Sequence, residues 1–259
     1  MLEALRNDAR DRVTSSIDEI RLEEVSAETR NAVRQLCLDF EVIAIGALLI
    51  DAKPQTFFTN LCRSAENWRR YLEVRQAKSA TDASITFLSP LIGAMVAGNW
   101  TLAGAVAALA LHGAQEETDY EDEVLHARLL NHLVSGRCRS TPEIEALAAR
   151  LTEVDQGLFS ARLGVMRALL ARNRTAFVDA FAAAVGSYGD RIEELAGMLT
   201  VPRAKVAPHR HLWLEGLALL RMADAIGLKV ADDFRYCPPL ARIPMAPLYA
   251  GDWVVALPR

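Results

Sequence analysis

The sequence predicts an all-α protein, and three observations predict it. Ala, Leu, Arg and Glu dominate, residues that lose little side-chain freedom on a helix, while Gly and Pro are sparse before residue 200. Apolar residues recur at three- and four-residue steps along most of the chain, which is the period of one helix face. Prolines and glycines fall mainly at the ends of these periodic runs, where helices begin and stop. The expected architecture is a single domain of about ten antiparallel helices in paired, tetratricopeptide-like or bundle packing, with a proline-rich extended C-terminal tail. A chain of 259 residues, 51% of them hydrophobic, can bury one large core, and no linker-like stretch interrupts it.

Residues 2–22 read as an amphipathic edge helix, within an N-terminal segment 1–25, with Leu2, Leu5, Val13, Ile17 and Ile20 as its apolar positions. From Ser26 to Ile50, Val33, Leu36, Cys37, Phe40, Ala44, Ala47 and Leu48 mark a core helix. Pro54 is well placed to open the next one, whose stripe of Phe57, Phe58, Leu61, Cys62, Ala65, Trp68, Tyr71 and Leu72 runs down to about Lys78.

Residues 84–115 then hold no Asp, Glu, Lys or Arg, so this stretch must be buried. It reads as the central hairpin of the molecule, Ile85 to Ala97 and Trp100 to Ala114, reversed at Gly98 and Asn99. Pro90, Gly93, Gly98, Asn99, Thr101 and Gly104 interrupt its apolar run, which argues for burial in protein and against a membrane span.

Beyond it, Thr118 or Asp119 can cap a helix whose first turn is acidic and which ends at Gly136. Thr141 followed by Pro142 starts another, with Ile144, Leu147, Ala148 and Leu151 inward. Leu158 to Leu170 and Ala176 to Val185 form a helix, short turn, helix unit around Asn173, without a strict 34-residue period elsewhere. A weaker helix spans Gly186 to Val201, and Pro202 and Pro208 bracket a loop. His211 to Ile226 is apolar nearly all round and therefore buried, and Gly227 stops it. Residues 228–259 carry Pro238, Pro239, Pro244, Pro247 and Pro258, which excludes a regular helix. Their Leu240, Ile243, Met245, Leu248, Tyr249, Trp253 and Val254 predict a docked irregular tail.

The formal charge of −4 argues against nucleic acid as a partner, which would call for a basic footprint. Arg63, Arg69, Arg70 and Arg75 form the one basic cluster worth weighing, against its reading as a solvated helix face. Cys37, Cys62, Cys138 and Cys237 stand apart with no paired spacing and read as reduced core residues. The charged start, Met1 to Arg12, lacks the apolar stretch of a secretory signal, so a cytoplasmic location is expected.

No nucleophile elbow, phosphate loop, dinucleotide fingerprint or HExxH motif is present, so no catalytic residue, metal ligand or cofactor is assigned. Glu123 and His126 share one helix face in an ExxH spacing, but a di-metal site of the ferritin type needs that motif twice with further carboxylates. His209 and His211 lack a visible third ligand. What stands out is an acidic rim, Glu116, Glu117, Asp119, Glu121, Asp122 and Glu123, with Tyr120 in its midst. Carboxylates this close repel one another unless a cation relieves them. The two readings are a helix start matched to its dipole and a docking site for a basic protein.

Three segments carry a family resemblance: the acidic, Gly-ended helix Asp119 to Gly136, the run Ala176-Phe177-Val178-Asp179-Ala180-Phe181, and the helix from Trp213 to Ala223 that stops at Gly227. In this order within a helical chain they resemble the immunity protein 49 family of bacterial polymorphic toxin systems, over roughly residues 30–245. The resemblance implies a non-enzymatic cytoplasmic antidote that binds a cognate toxin and blocks its active site, by covering it, or its assembly. A nuclease or another enzyme with a basic cleft would suit the acidic rim as that toxin. The alternatives are a helical-repeat adaptor that binds a peptide or protein partner, and a helical metal-dependent enzyme.

Overall fold

A computed structural model of the chain describes residues 1–23, 26–79, 85–113, 119–136 and 138–258. Among the described residues there are eleven α-helices, one short 3-10 turn and no β-strand, so the protein is all-α. The chain gathers into two compact units, Met1–Glu116 with Ile243–Arg259, and Glu117–Arg242.

The first unit is built on two long helices. α2 (Ala27–Leu49) starts where the Ser26 hydroxyl accepts from the Thr29 N–H, and α3 (Pro54–Ala77) starts on its proline. The four residues between them force a hairpin, and the predicted stripes meet along it. Phe40, Phe57, Phe58, Trp68 and Tyr71 are all at most 1% exposed. Trp68 stacks on Tyr71 at 5.1 Å and meets the edge of Phe87 at 4.7 Å. Each such aromatic, fully buried, stabilises the fold by roughly 2–3 kcal/mol.

α1 (Leu2–Ser16) packs on α2. It is held by charge as much as by apolar burial: Arg6 lies 2.9 Å from Asp51, and Arg12 lies 2.6 Å from Asp39, a carboxylate only 2% exposed. The helix stops at Ser16, short of the expected Leu22. Ser15 and Ser16 turn their hydroxyls back onto the Arg12 carbonyl and compete there with the helical hydrogen bond.

The expected hairpin is present as α4 (Ser89–Val96) and α5 (Trp100–Ala110), packed on α3 and on each other. Gly98, at φ +71°, makes the reversal, and the Asn99 side chain accepts from the Leu102 N–H. Its first helix begins four residues later than Ile85, because Pro90 lacks an N–H and fits the first turn of a helix, not its interior. Residues 243–258 complete this unit without an α-helix.

The second unit holds α6 (Glu121–Ser135), α7 (Pro142–Val154), α8 (Ser160–Leu170), α9 (Arg174–Gly197), α10 (Arg203–Val206) and α11 (Leu214–Ala225). α7 starts at Thr141, whose hydroxyl accepts from Ile144 N–H, and α9 at Asn173, whose side chain accepts from Ala176 N–H. α8 and α9 form the predicted helical pair, with α11 against α8.

α9 corrects the expected break at Gly186, for one continuous helix of 24 residues runs through Gly186 and Gly189. Packing overrides the glycines' poor propensity. A Cβ at Gly189 would come within 3.1 Å of the Tyr236 hydroxyl, and Tyr188 donates to the carbonyl oxygen of His209 at 2.6 Å. α10 was likewise not expected between its prolines. α11 is buried around most of its circumference, as its sequence predicts.

Candidate functional site

The acidic rim lies at the start of α6. Glu116 and Glu117 lie outside the described residues, while Asp119 to Glu123 are placed. Of the two expected caps, Thr118 lies outside the described residues and Asp119 does not occupy the cap position. That place belongs to Tyr120, in extended backbone and with no side-chain cap bond, so the Tyr120 ring is left to solvent at 72% exposure. The Asp122 carboxylate accepts from the Glu123 N–H, which uses one side chain to satisfy the helix start.

Three of these carboxylates, Glu121, Asp122 and Glu123, line a cleft of about 490 Å³ together with Tyr120, Val154, Gln156, Leu158 and Arg191. Sequence reasoning missed the other wall. It comes from the end of α7, the α7–α8 connection and α9, 34 to 71 residues beyond Tyr120, and no periodicity marks it. The connection is folded by Asp155, whose Oδ1 accepts from the Phe159 N–H at 2.9 Å while Oδ2 bonds the Ser160 hydroxyl. Burial pushes the Asp155 carboxyl up, but these hydrogen bonds outweigh it and hold it below its ordinary value. The turn so formed leaves Leu158 39% exposed on the cleft.

Ion pairs take up part of the charge. Glu121 lies 2.8 Å from Arg150, which also reaches Glu153 at 3.1 Å, and Arg191 lies 2.8 Å from Glu194. All of these are half-exposed pairs that solvent screens, so they constrain the rim little. The cleft therefore presents an aromatic ring, an exposed leucine and an acidic edge to water. That combination suits a cationic protein surface carrying an apolar contact.

The other sequence candidates lie elsewhere. His126 does not work with Glu123. It is 3% exposed, stacks on Phe159 at 4.5 Å, and points Nε2 at Glu215 Oε1, 3.0 Å away on α11. Glu215 Oε2 lies 2.9 Å from Arg162 Nε on α8, so three helices share one buried charge cluster that the sequence did not reveal. Burial pushes the Glu215 carboxyl up, yet Arg162 and His126 more than reverse this and hold it at about 2. Among the described residues, no three His, Cys, Asp or Glu side chains stand together as a metal site.

The arginines of α3 are neither an open basic patch nor a solvated face. Arg63 pairs with Asp252, Arg69 and Arg70 both hold Glu66, and Arg75 is 2% exposed and donates to the His112 carbonyl. All four cysteines are buried and free, as expected. Among the described residues no helix is long and apolar enough to cross a membrane. No protein-family model matches the chain, and neither a curated protein nor a solved structure shows a significant match to it.

Proposed function

We propose that this chain is an immunity protein: a non-enzymatic binding protein that neutralises a toxin in the cytoplasm by laying the α6 edge over the toxin's basic active-site cleft. The observation that carries the reading is Tyr120, a large aromatic 72% exposed at the lip of a cleft edged by Glu121, Asp122 and Glu123. Tyrosine supplies wide contact area at low entropic cost and is enriched at binding hot spots, and flanking carboxylates select a cationic partner. The resemblance of Asp119–Gly136, Ala176–Phe181 and Trp213–Ala223 to immunity protein 49 supports the same reading and names the kind of partner. Catalytic residues and cofactors have no part in it.

The test is co-expression of this chain with the protein encoded beside it, followed by affinity measurement on the purified pair. Rescue of growth, with a complex weakened at least about 100-fold by joint replacement of Glu121, Asp122 and Glu123 by Lys, is the expected result. Unchanged affinity in a folded variant would remove the rim from the interface. A harmless neighbour that forms no complex would instead favour the adaptor.

A further inference from the structure

Residues 243–258 rejoin the first unit after the chain has left it, and they are held there along α3. Gln55, near the start of α3, uses both ends of its amide: Nε2 donates to the Pro244 carbonyl at 3.1 Å and Oε1 accepts from the Ala246 N–H at 2.8 Å. Asn67 repeats the arrangement further along, donating to the Trp253 carbonyl at 3.0 Å and accepting from the Val255 N–H at 2.8 Å. Between and beyond them, Arg63 Nε lies 3.0 Å from Asp252 Oδ1, and Arg70 Nη1 donates to the Val255 carbonyl at 2.9 Å. At a rise of 1.5 Å per residue, Gln55 and Arg70 stand about 22 Å apart along the helix, and the strap follows α3 in the same direction.

A carboxamide that bonds both an N–H and a C=O of another segment does what a neighbouring strand does. It satisfies the backbone without reading the side chains. Selectivity comes from the other contacts: the Arg63 guanidinium for a carboxylate, and a closed slot in which Val255 is 0% exposed. Beside Trp253 lies a cavity of about 330 Å³, lined by Val13, Phe40, Ile43 and Asn60 among others. Apolar burial by the strap is light, with Trp253 47% and Leu248 96% exposed. Polar clamps therefore hold much of it, and clamps of this kind accept any chain that matches them.

We infer that this face of α3 is a peptide-binding groove, filled in cis by residues 243–258, which takes from a partner protein a non-helical segment bearing a carboxylate, an aromatic ring next to it and an aliphatic residue three positions after the carboxylate. A tethered strap competes at an effective concentration in the millimolar range, so a free segment binds in proportion to the fraction of open groove.

The experiment titrates a fluorescent peptide with the sequence of residues 247–258 into the full chain and two variants. Asp252→Lys loosens the strap and leaves the groove intact, and it is expected to bind the peptide at least about tenfold more tightly than the parent chain. Arg63→Asp is expected to reject that peptide and to accept one in which the residue matching Asp252 is Arg. Far-UV circular dichroism checks that both variants are folded, and neither change empties the core. Absence of saturable binding to the Asp252→Lys chain, or binding indifferent to the sign of charge at residue 63, would overturn the proposal.

Discussion

Glu215 is the residue on which the second unit's charge cluster turns. Its carboxyl is held at about 2 against an ordinary value of 4.5, because Arg162 and His126 outweigh the effect of burial. A carboxylate whose pKa is lower in the folded state stabilises the fold fully above the unfolded value and loses that contribution as the pH falls. The chain should therefore lose on the order of 3 kcal/mol from this group between about pH 4.5 and pH 2. Urea titrations over this range should show the slope, and Glu215→Gln should flatten it while destabilising the neutral protein by about 3 kcal/mol, since Arg162 is left without its partner. The cysteines give a second test at this scale. Burial pushes the thiols of Cys62, Cys138 and Cys237 up to about 11, 12 and 12, and raises Cys37 as well. At pH 8 iodoacetamide should label the native protein slowly and all four cysteines quickly once urea unfolds it. Tyr120 carries the third. It caps nothing and is exposed, so Tyr120→Ala should leave the denaturation midpoint unchanged while weakening the proposed toxin complex about 30-fold or more.

Among the helices, α11 shows packing setting the sequence against propensity. Ala at position 216 would favour the helix by about 1 kcal/mol over Gly. Its Cβ would, however, fall 2.2 Å from the Trp213 ring, which is 3% exposed and whose backbone N–H donates to the Tyr236 carbonyl at 2.8 Å. The ring cannot give way without losing its stacking on Phe181 at 5.5 Å and Tyr188 at 5.1 Å. Gly216→Ala should therefore destabilise the protein by about 2 kcal/mol net, measured by chemical denaturation, where a propensity argument alone predicts stabilisation. The same contest explains α9. Gly186 suggests a break in sequence, but Tyr188 and the close approach of Tyr236 to Gly189 hold the helix continuous.

For the whole molecule, the formal charge of −4 bears on how it would meet the proposed toxin. An acidic protein that docks a basic cleft should associate by electrostatic steering. The association rate with the proposed toxin should fall about tenfold or more between roughly 50 and 500 mM salt, while dissociation changes less. Stopped-flow mixing at several ionic strengths measures this directly. The two compact units also show why the strap along α3 escapes a linear reading. Residues 243–258 belong with helices that end more than a hundred positions earlier in the chain.

The helical class, the two long core helices, the hairpin at Gly98 and Asn99, and the buried faces of α7 and α11 are all legible in the amino-acid sequence. Helix periodicity, N-caps and prolines act over three or four residues, and a sequence displays such local causes openly. It also determined that Asp119 to Glu123 form an acidic helix start around Tyr120. The long-range partners are visible only in the folded chain: Leu158 and Arg191 across the cleft from that helix start, Glu215 and Arg162 in one cluster with His126, and the strap that occupies Arg63, Asn67 and Arg70. Each of these pairings joins residues far apart in the chain, and the free energy that selects it comes from desolvation and shape, which no short-range pattern encodes.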